Sequence, residues 1–212
     1  MKIFVTGIDT DAGKSFATGY LARTLADSGK RVTTMKFIQT GNHDYSEDID
    51  IHRRIMGIPL QPEDLNHTTA PVIFSYPCSP QLAAEIDGLD IDFNKIDHSA
   101  DSLDTTFDIT LIEGAGGLMV PLTDDFWTID YISTRRLPVA LVTNGRLGSI
   151  SHTLLALETL LTRKIPLHYI LYNTYFDSDK TIVADTRDFL KRYLHKHFSE
   201  AQWIDIPPIS IH

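Results

Sequence analysis

The chain has 212 residues, 42% of them apolar and 22% charged, which is typical of globular proteins rather than of disordered, collagen-like or membrane chains. Its 19 Lys and Arg against 28 Asp and Glu give a formal net charge of −9, so no broad basic surface is expected for a nucleic acid or an anionic membrane. A chain of this size can bury a sizeable core, and we expect one domain over residues 1–212.

Cysteine usage and the amino-terminal sequence predict a cytoplasmic protein. Cys78 is the only cysteine, so an internal disulfide is excluded. The apolar run before Gly7 is too short for a signal peptide, and no stretch reaches the roughly 18 apolar residues of a membrane span.

Short β-rich runs alternate with longer amphipathic stretches, which favours an α/β fold with helices around a mostly parallel central sheet. Several runs are almost entirely apolar, as strands buried on both faces should be. The predicted strands are residues 3–6, 32–37, 107–112, 139–143 and 169–173, with a further candidate at 203–206.

The predicted helices are residues 15–27, 48–56, 151–162 and 181–195. The first two are followed by Gly29 and Gly57, which supply stop signals. Residues 57–90 contain five prolines and are interpreted as a long excursion over the sheet edge, a kind of segment that often carries function.

The most informative stretch is the loop from Gly7 to Ser15, between the first predicted strand and the first predicted helix. Glycines at both ends let the chain curl so that backbone N–H groups surround a phosphate. Lys14 adds a charge for the β- and γ-phosphates, and Ser15 offers a hydroxyl to Mg²⁺ at the helix N-terminus. The loop is one residue longer than the strict consensus, and a plain strand-to-helix turn is the alternative, but the strand–loop–helix context favours a nucleotide site.

A second candidate, Glu113, ends an apolar strand just before the glycine-rich turn 114–117. A carboxylate at the carboxyl end of a central parallel strand points into the crevice where ligands bind, so Glu113 could hold Mg²⁺, although an exposed acid beside a turn is the alternative. Glu47, Asp48 and Asp50 open the next helix. One of them could be a second Mg²⁺ carboxylate, but the helix dipole alone also favours acids there, and the residues leave the choice open.

Five segments, taken in order, resemble the dethiobiotin synthetase family: residues 6–15, 36–41 (KFIQTG), 79–84 (SPQLAA), 113–117 (EGAGG) and 147–152 (LGSISH). The resemblance implies a three-layer fold of the phosphate-loop NTPase type. It also implies an ATP- and Mg²⁺-dependent enzyme that closes the ureido ring of dethiobiotin from 7,8-diaminononanoate and CO₂ during biotin synthesis.

The resemblance further implies roles for individual residues. Lys14 and Lys36 are expected to be catalytic, and Ser15, Asp48 and Glu113 to hold the metal, with Asp48 preferred to Asp50 because its distance from Gly57 matches the family's acid. The nucleotide is expected to contact Asp9, Thr10, Asp11, Ala12, Gly13, Lys14, Ser15, Phe16, Glu113, Gly116, Asn173 and Pro207. The substrate is expected to contact Thr10, Lys36, Thr40, Ser79, Pro80, Leu147, Ser149, Ile150 and Ser151.

The resemblance also implies a homodimer with composite active sites. Ser149, Ile150 and Ser151 of one chain would meet the carboxylate tail of a substrate whose amines face Lys14 and Lys36 of the other. The alternative is that Ser149 and Ser151 only cap their helix.

Some residues depart from the family pattern, and one other class of protein competes with it. Phe37 stands where the family usually has Pro, Thr40 where Ser is frequent and Ser151 where Asn is common. The competing class is a nucleotide-driven switch of the partitioning-ATPase or iron-protein kind. Those proteins usually carry an additional lysine early in the loop, and residues 7–12 contain none.

Overall fold

The computed structural model describes residues 1–210, in which strands and helices alternate along the chain. The strands are β1 (Lys2–Gly7), β2 (Val32–Lys36), β3 (Gln39–Thr40), β4 (Ile73–Phe74), β5 (Ile109–Gly117), β6 (Pro121–Thr123), β7 (Phe126–Trp127), β8 (Val139–Asn144), β9 (Leu167–Asn173) and β10 (Gln202–Ile206). The helices are α1 (Lys14–Asp27), α2 (Glu47–Met56), α3 (Pro62–Leu65), α4 (Pro80–Asp87), α5 (Phe93–Thr106), α6 (Thr128–Thr134), α7 (Ser149–Thr162) and α8 (Lys180–His197).

Six strands form the central sheet in the order β10–β9–β8–β1–β5–β2, and every neighbouring pair is parallel. The predicted α/β fold is therefore confirmed, including the candidate last strand. Two small sheets, β3–β4 and β6–β7, lie outside it. None of the helices within residues 1–210 combines the length and the apolar character needed to cross a membrane.

The sheet is buried on both faces because consecutive residues of its central strands enter two different apolar clusters. Ile3 and Val5 of β1 pack in one cluster with Leu21 of α1. Phe4 packs in the other with Ile96 of α5 and Leu157 of α7. Since side chains alternate along a strand, helices on both sides account for the unbroken apolar run from Ile3 to Val5.

The glycine-rich segment after Glu113 is the clearest departure from the predicted elements. We expected a turn, but β5 continues to Gly117, which pairs with Gly7 of β1. A Cβ atom on Gly114 would lie only 2.7 Å from the ring of Phe4. Glycine is required there because the strand passes close to an aromatic ring.

Other elements were missed or placed differently. The predicted excursion, residues 57–90, contains α3, β4 and α4. Helix α5 was not predicted, although its three buried residues, Ile96, Ala100 and Leu103, have helical spacing. Helix α7 begins at Ser149 rather than at residue 151.

A buried ion pair ties the excursion to the sheet. Arg53 of α2 donates from Nε and Nη2 to the two carboxylate oxygens of Asp64 in α3, each at 2.8 Å. The two side chains are 2% and 3% exposed, and Arg53 also donates to the hydroxyl of Thr33 at 3.2 Å. Burial opposes ionisation of Asp64, but the bonds from Arg53 outweigh it and hold the pKa of Asp64 below its usual range.

We expect Asp64→Asn to lower the free energy of unfolding by about 3 kcal/mol at pH 7, because the Arg53 charge would stay buried without its partner. A lowered carboxylate pKa stabilises the fold above the ordinary Asp range near pH 4, and this contribution is lost as the pH falls through the folded-state pKa. The difference between the two proteins should therefore shrink at low pH. Denaturant unfolding at pH 7 and pH 3.5 measures it.

The matched control is Glu63→Gln, which removes the same charge from the same helix without touching the pair. Equal losses of stability in the two variants at pH 7 would contradict the role given to the ion pair.

Candidate active site

The loop between β1 and α1 closes around the first turn of the helix. Residues Thr10–Ala12 form a single 3-10 turn, and Gly13 has a φ of +86°, a left-handed conformation that glycine adopts without steric cost. Helix α1 begins at Lys14 with no side-chain cap. The first N–H groups of a helix lack intrahelical partners, so this loop can cradle an anion.

Lys14 lies folded over the loop. Its Nζ donates to the carbonyl oxygens of Asp9 at 3.1 Å and Thr10 at 2.9 Å, and the residue is only 6% exposed. Burial lowers the pKa of the Lys14 ammonium, and the nearby Glu113 carboxylate partly opposes this shift. The Lys14 ammonium thus lies against two carbonyl oxygens of the loop and near the carboxylates of Glu113 and Asp48.

Four side chains, Ser15, Lys36, Asp48 and Glu113, meet beside Lys14, and we call them the carboxylate centre. Lys36 Nζ lies 2.5 Å from Asp48 Oδ2 and 2.8 Å from Glu113 Oε1. Ser15 Oγ hydrogen-bonds Asp48 and lies 3.1 Å from Glu113 Oε1. The pairing of β2 with β5 sets Lys36 directly opposite Glu113, so the sheet register itself brings the two charges together.

Charge compensation keeps both members of this pair ionised. Burial alone would lower the pKa of Lys36, but the carboxylates of Glu113 and Asp48 outweigh it and raise that pKa. Burial likewise opposes ionisation of Glu113, yet the Lys36 ammonium and the ring of His52 hold the pKa of Glu113 well below its usual range. Glu113 is fully buried and Lys36 is 5% exposed.

The structure distinguishes the two acids that open α2. Asp48 faces the carboxylate centre through Ser15 and Lys36. Asp50 turns away, with its carboxylate 3.7 Å from Arg54 on the same helix and about half exposed. Since residues two apart point to different sides of a helix, only one of them can reach Ser15.

His52 belongs to the same group of contacts but was missed in the sequence. It lies one helical turn after Asp48, is fully buried, and places its Nε2 2.7 Å from Glu113 Oε2. The spacing of Asp48 and His52 put both on one helix face, and this was the available signal.

A cavity of about 670 Å³ opens over the carboxylate centre. The sequence-predicted residues that line it are Thr10, Asp11, Gly13, Lys14, Ser15, Phe16, Lys36, Thr40, Asp48, Ser79, Pro80, Glu113 and Gly116. A second cavity of about 400 Å³ shares Thr10 and Val120 with it and runs along α7. Asp9 lines that second cavity.

The start of α7 lies outside the lining of the main cavity. Its N-cap is Gly148, with a φ of +94° and no side-chain cap, so the interpretation of Ser149 and Ser151 as capping residues is wrong. Ser149 is 4% exposed, and its buried Oγ has no hydrogen-bond partner in the part of the chain that the structure describes. Leu147 is 87% exposed, Ser151 is exposed and Ile150 is partly buried.

Asn173 lies at the end of β9, behind the phosphate loop. Its Nδ2 donates to the carbonyl of Ala12 at 3.1 Å, and its Oδ1 accepts from the N–H of Tyr175 at 3.1 Å. Its amide therefore braces the loop, while Pro207, just past β10, is exposed.

A phosphate loop between the first strand and first helix of a parallel sheet, with an acid at the end of a neighbouring strand, defines a phosphate-loop nucleoside triphosphatase. A family model described as an AAA domain matches residues 1–198.

Curated relatives identify the particular family. The chain is 46% identical to the ATP-dependent dethiobiotin synthetase BioD 2 of Pasteurella multocida, over 92% of this chain and 91% of the relative. It is also 46% identical to the ATP-dependent dethiobiotin synthetase BioD of Chlorobaculum tepidum, over 95% of this chain and 85% of the relative. The chain belongs to the ATP-dependent dethiobiotin synthetase family.

Similar solved structures support the fold alone. The MinD cell division protein of Aquifex aeolicus matches 98% of this chain and 83% of its own, with a TM-score of 0.52 and 16% identity. Its complex with MinC gives a TM-score of 0.55 at 17% identity, over 97% of this chain and 81% of the matched chain.

We expect Lys14→Ala to weaken ATP binding roughly 10- to 100-fold, because a charged hydrogen bond to phosphate would be lost. Titration calorimetry with ATP measures the affinity, and thermal unfolding checks the fold. The control is Lys30→Ala, which removes an exposed lysine beyond the other end of α1 and should leave affinity unchanged. ATP affinity of Lys14→Ala within about twofold of wild type would contradict the phosphate role.

Proposed function

We propose that the protein forms dethiobiotin by closing the ureido ring of 7,8-diaminononanoate with CO₂, while ATP is converted to ADP and phosphate. The observation that carries this proposal is the 46% identity to dethiobiotin synthetases over 92% of the chain. The geometry supports it, because Lys14 and Lys36 both line one cavity beside two carboxylates. Two lysines in one cavity can compensate the negative charge of the triphosphate and of a carbamate.

The carboxylate centre fits Mg²⁺ by the chemistry of its donors. Mg²⁺ prefers oxygen ligands and usually keeps waters and phosphate oxygens besides one or two carboxylates. One hydroxyl and two carboxylates converge here, from Ser15, Asp48 and Glu113. The ammonium of Lys36 contacts both carboxylates, so the site already accommodates a positive charge. No cluster of three His, Cys, Asp or Glu with metal-binding geometry occurs among the described residues, so a cage built only from such side chains is not implied.

The reaction requires positioning and charge compensation rather than a protein nucleophile. One substrate amine adds CO₂ to give a carbamate, a carbamate oxygen takes the γ-phosphoryl group, and the second amine displaces phosphate as the ring closes. We assign Lys36 to the carbamate and the transferred phosphoryl group, and Lys14 to the β- and γ-phosphates. When bound, Mg²⁺ would offset charge on the triphosphate.

Purified protein should release ADP only when diaminononanoate and bicarbonate are present together, with dethiobiotin detected by mass spectrometry. A rate of ADP release that is the same with and without the two co-substrates would contradict the proposal and favour a nucleotide-driven switch.

Lys36→Ala should lower kcat by about 100-fold or more while ATP affinity changes little, because the charge of Lys36 acts where negative charge accumulates in the transition state.

The start of α7 supports a composite site in a homodimer. Ser149 Oγ is buried without a hydrogen-bond partner among residues 1–210, and the helix N-terminus favours an anion such as the substrate tail. The second cavity runs from Thr10 along α7, and Met119 and Leu155 in its lining are 56% and 66% exposed. In the proposed homodimer, the second copy would cover these exposed apolar side chains.

Mixing two variants that are each expected to be inactive alone tests this arrangement. One chain carries Lys14→Ala, and the other carries Ser151→Glu, an exposed position where an acid should repel the substrate tail. If the sites are composite, each mixed dimer holds one intact site, so an equal mixture should recover about a quarter of wild-type activity. No recovery, with mixed dimers confirmed by native mass spectrometry, would place the whole site within one chain.

A further inference from the structure

His52 lies beneath the carboxylate centre because α1 and α2 pack unusually close together. A Cβ atom on Gly19 of α1 would lie 3.0 Å from the Cβ of Ile55 and 3.2 Å from the Cα of His52. Any larger residue at position 19 would push α2 outward. The imidazole is therefore held against the sheet, fully buried, rather than at the protein surface.

Both ring nitrogens of His52 have partners. Nε2 lies 2.7 Å from Glu113 Oε2, and Nδ1 lies 3.0 Å from the hydroxyl of Thr34. Thr34 Oγ1 also accepts a hydrogen bond from Arg53 Nη1 at 2.9 Å. A guanidinium can only donate, so the Thr34 proton is free to be donated to Nδ1, and the ring then donates from Nε2 to Glu113.

The tautomer assigned by this network has a consequence for the carboxylate. His52 occupies Glu113 Oε2, whereas Ser15 and Lys36 contact only Oε1, at 3.1 and 2.8 Å. The two oxygens of Glu113 are thus divided between a buried side and a side that faces the centre. The carboxylate cannot rotate without breaking a bond to a buried ring.

We propose that His52 is a positioning residue that fixes the carboxylate plane of Glu113 and so presents Oε1 to the divalent cation of the nucleotide complex. The proposal rests on the proposed function, since it takes Glu113 as a cation ligand. His52 itself touches neither nucleotide nor substrate in this role. Partners that orient metal-binding carboxylates typically affect metal affinity or activity 10- to 100-fold.

Arg53 and Asp64 extend the same chain of contacts into the fold. Arg53 donates to Thr34 and is held by Asp64, so the hydroxyl that orients His52 is itself fixed by a buried ion pair. The chain Asp64–Arg53–Thr34–His52–Glu113 links α3 to the carboxylate centre without a solvent-exposed member. The orientation of Glu113 is therefore built into the packing of α2.

Two substitutions of His52 separate positioning from simple filling of space. In His52→Gln the terminal amide can replace Nε2 and still donate to Glu113, whereas in His52→Asn the shorter amide can meet Thr34 but not Glu113. Each variant is titrated with a non-hydrolysable ATP analogue at a series of Mg²⁺ concentrations, and again with Mg²⁺ chelated. Thermal unfolding reports on the fold.

We expect His52→Asn to need about 10- to 100-fold more Mg²⁺ for half-maximal tightening of analogue binding, with Mg²⁺-free binding unchanged. His52→Gln should stay within about threefold of wild type. An unchanged Mg²⁺ requirement in His52→Asn overturns the proposal, as does an equal shift in both variants or a parallel loss of Mg²⁺-free binding. None of these measurements uses diaminononanoate, so failure of the proposed function would appear separately, as absent dethiobiotin formation by the wild type.

A second pair keeps the test decisive if His52→Asn does not fold. Thr34→Val removes the hydroxyl that orients the ring, and Thr33→Val removes the neighbouring hydroxyl, which contacts Arg53 but not His52. Both substitutions replace a hydroxyl by a methyl group, and both remove a hydrogen bond from Arg53. A raised Mg²⁺ requirement in Thr34→Val alone supports the proposal, and equal requirements in the two variants overturn it.

Discussion

The ionised carboxylate of Glu113, fully buried on a central strand, is the constraint on which the other contacts depend. An uncompensated charge in such a place costs several kcal/mol, so the surrounding elements must supply partners. Lys36 comes from β2, Ser15 from α1 and His52 from α2. The charge of Glu113 thus holds β2, α1 and α2 together. The same contacts stabilise the packing of these elements and shape the cavity between them.

Close approach of these elements relies on missing side chains. Gly19 lets α2 lie against α1, and Gly114 lets β5 pass the ring of Phe4. Neither glycine adopts a left-handed conformation, so their role is steric room rather than backbone freedom. Asp48 and His52 of α2 reach the carboxylate centre because Gly19 lets α2 lie close to α1 and to the sheet.

The sheet and the phosphate loop could be predicted because they follow from local patterns: apolar runs, glycines and a lysine at fixed spacing. Contacts that depend on which way a helix faces could not. The residues alone left the choice between Asp48 and Asp50 open, and the preference for Asp48 came from the family resemblance until the rotation of α2 was known. The contact of His52 required its distance from Glu113, a residue far away in sequence. Gly114 was interpreted as a turn residue because sequence shows a glycine without showing the ring of Phe4 beside it.

The brace between Asn173 and the phosphate loop limits how this protein can evolve or be engineered. A methyl group on Gly13 would lie 2.2 Å from Asn173 Nδ2, the same atom that holds the Ala12 carbonyl. Position 13 is therefore restricted to glycine twice, by the position of Asn173 and by its own left-handed φ of +86°. Because this amide holds the Ala12 carbonyl, we expect that redesign of the strand end at Asn173 would also disturb the phosphate loop.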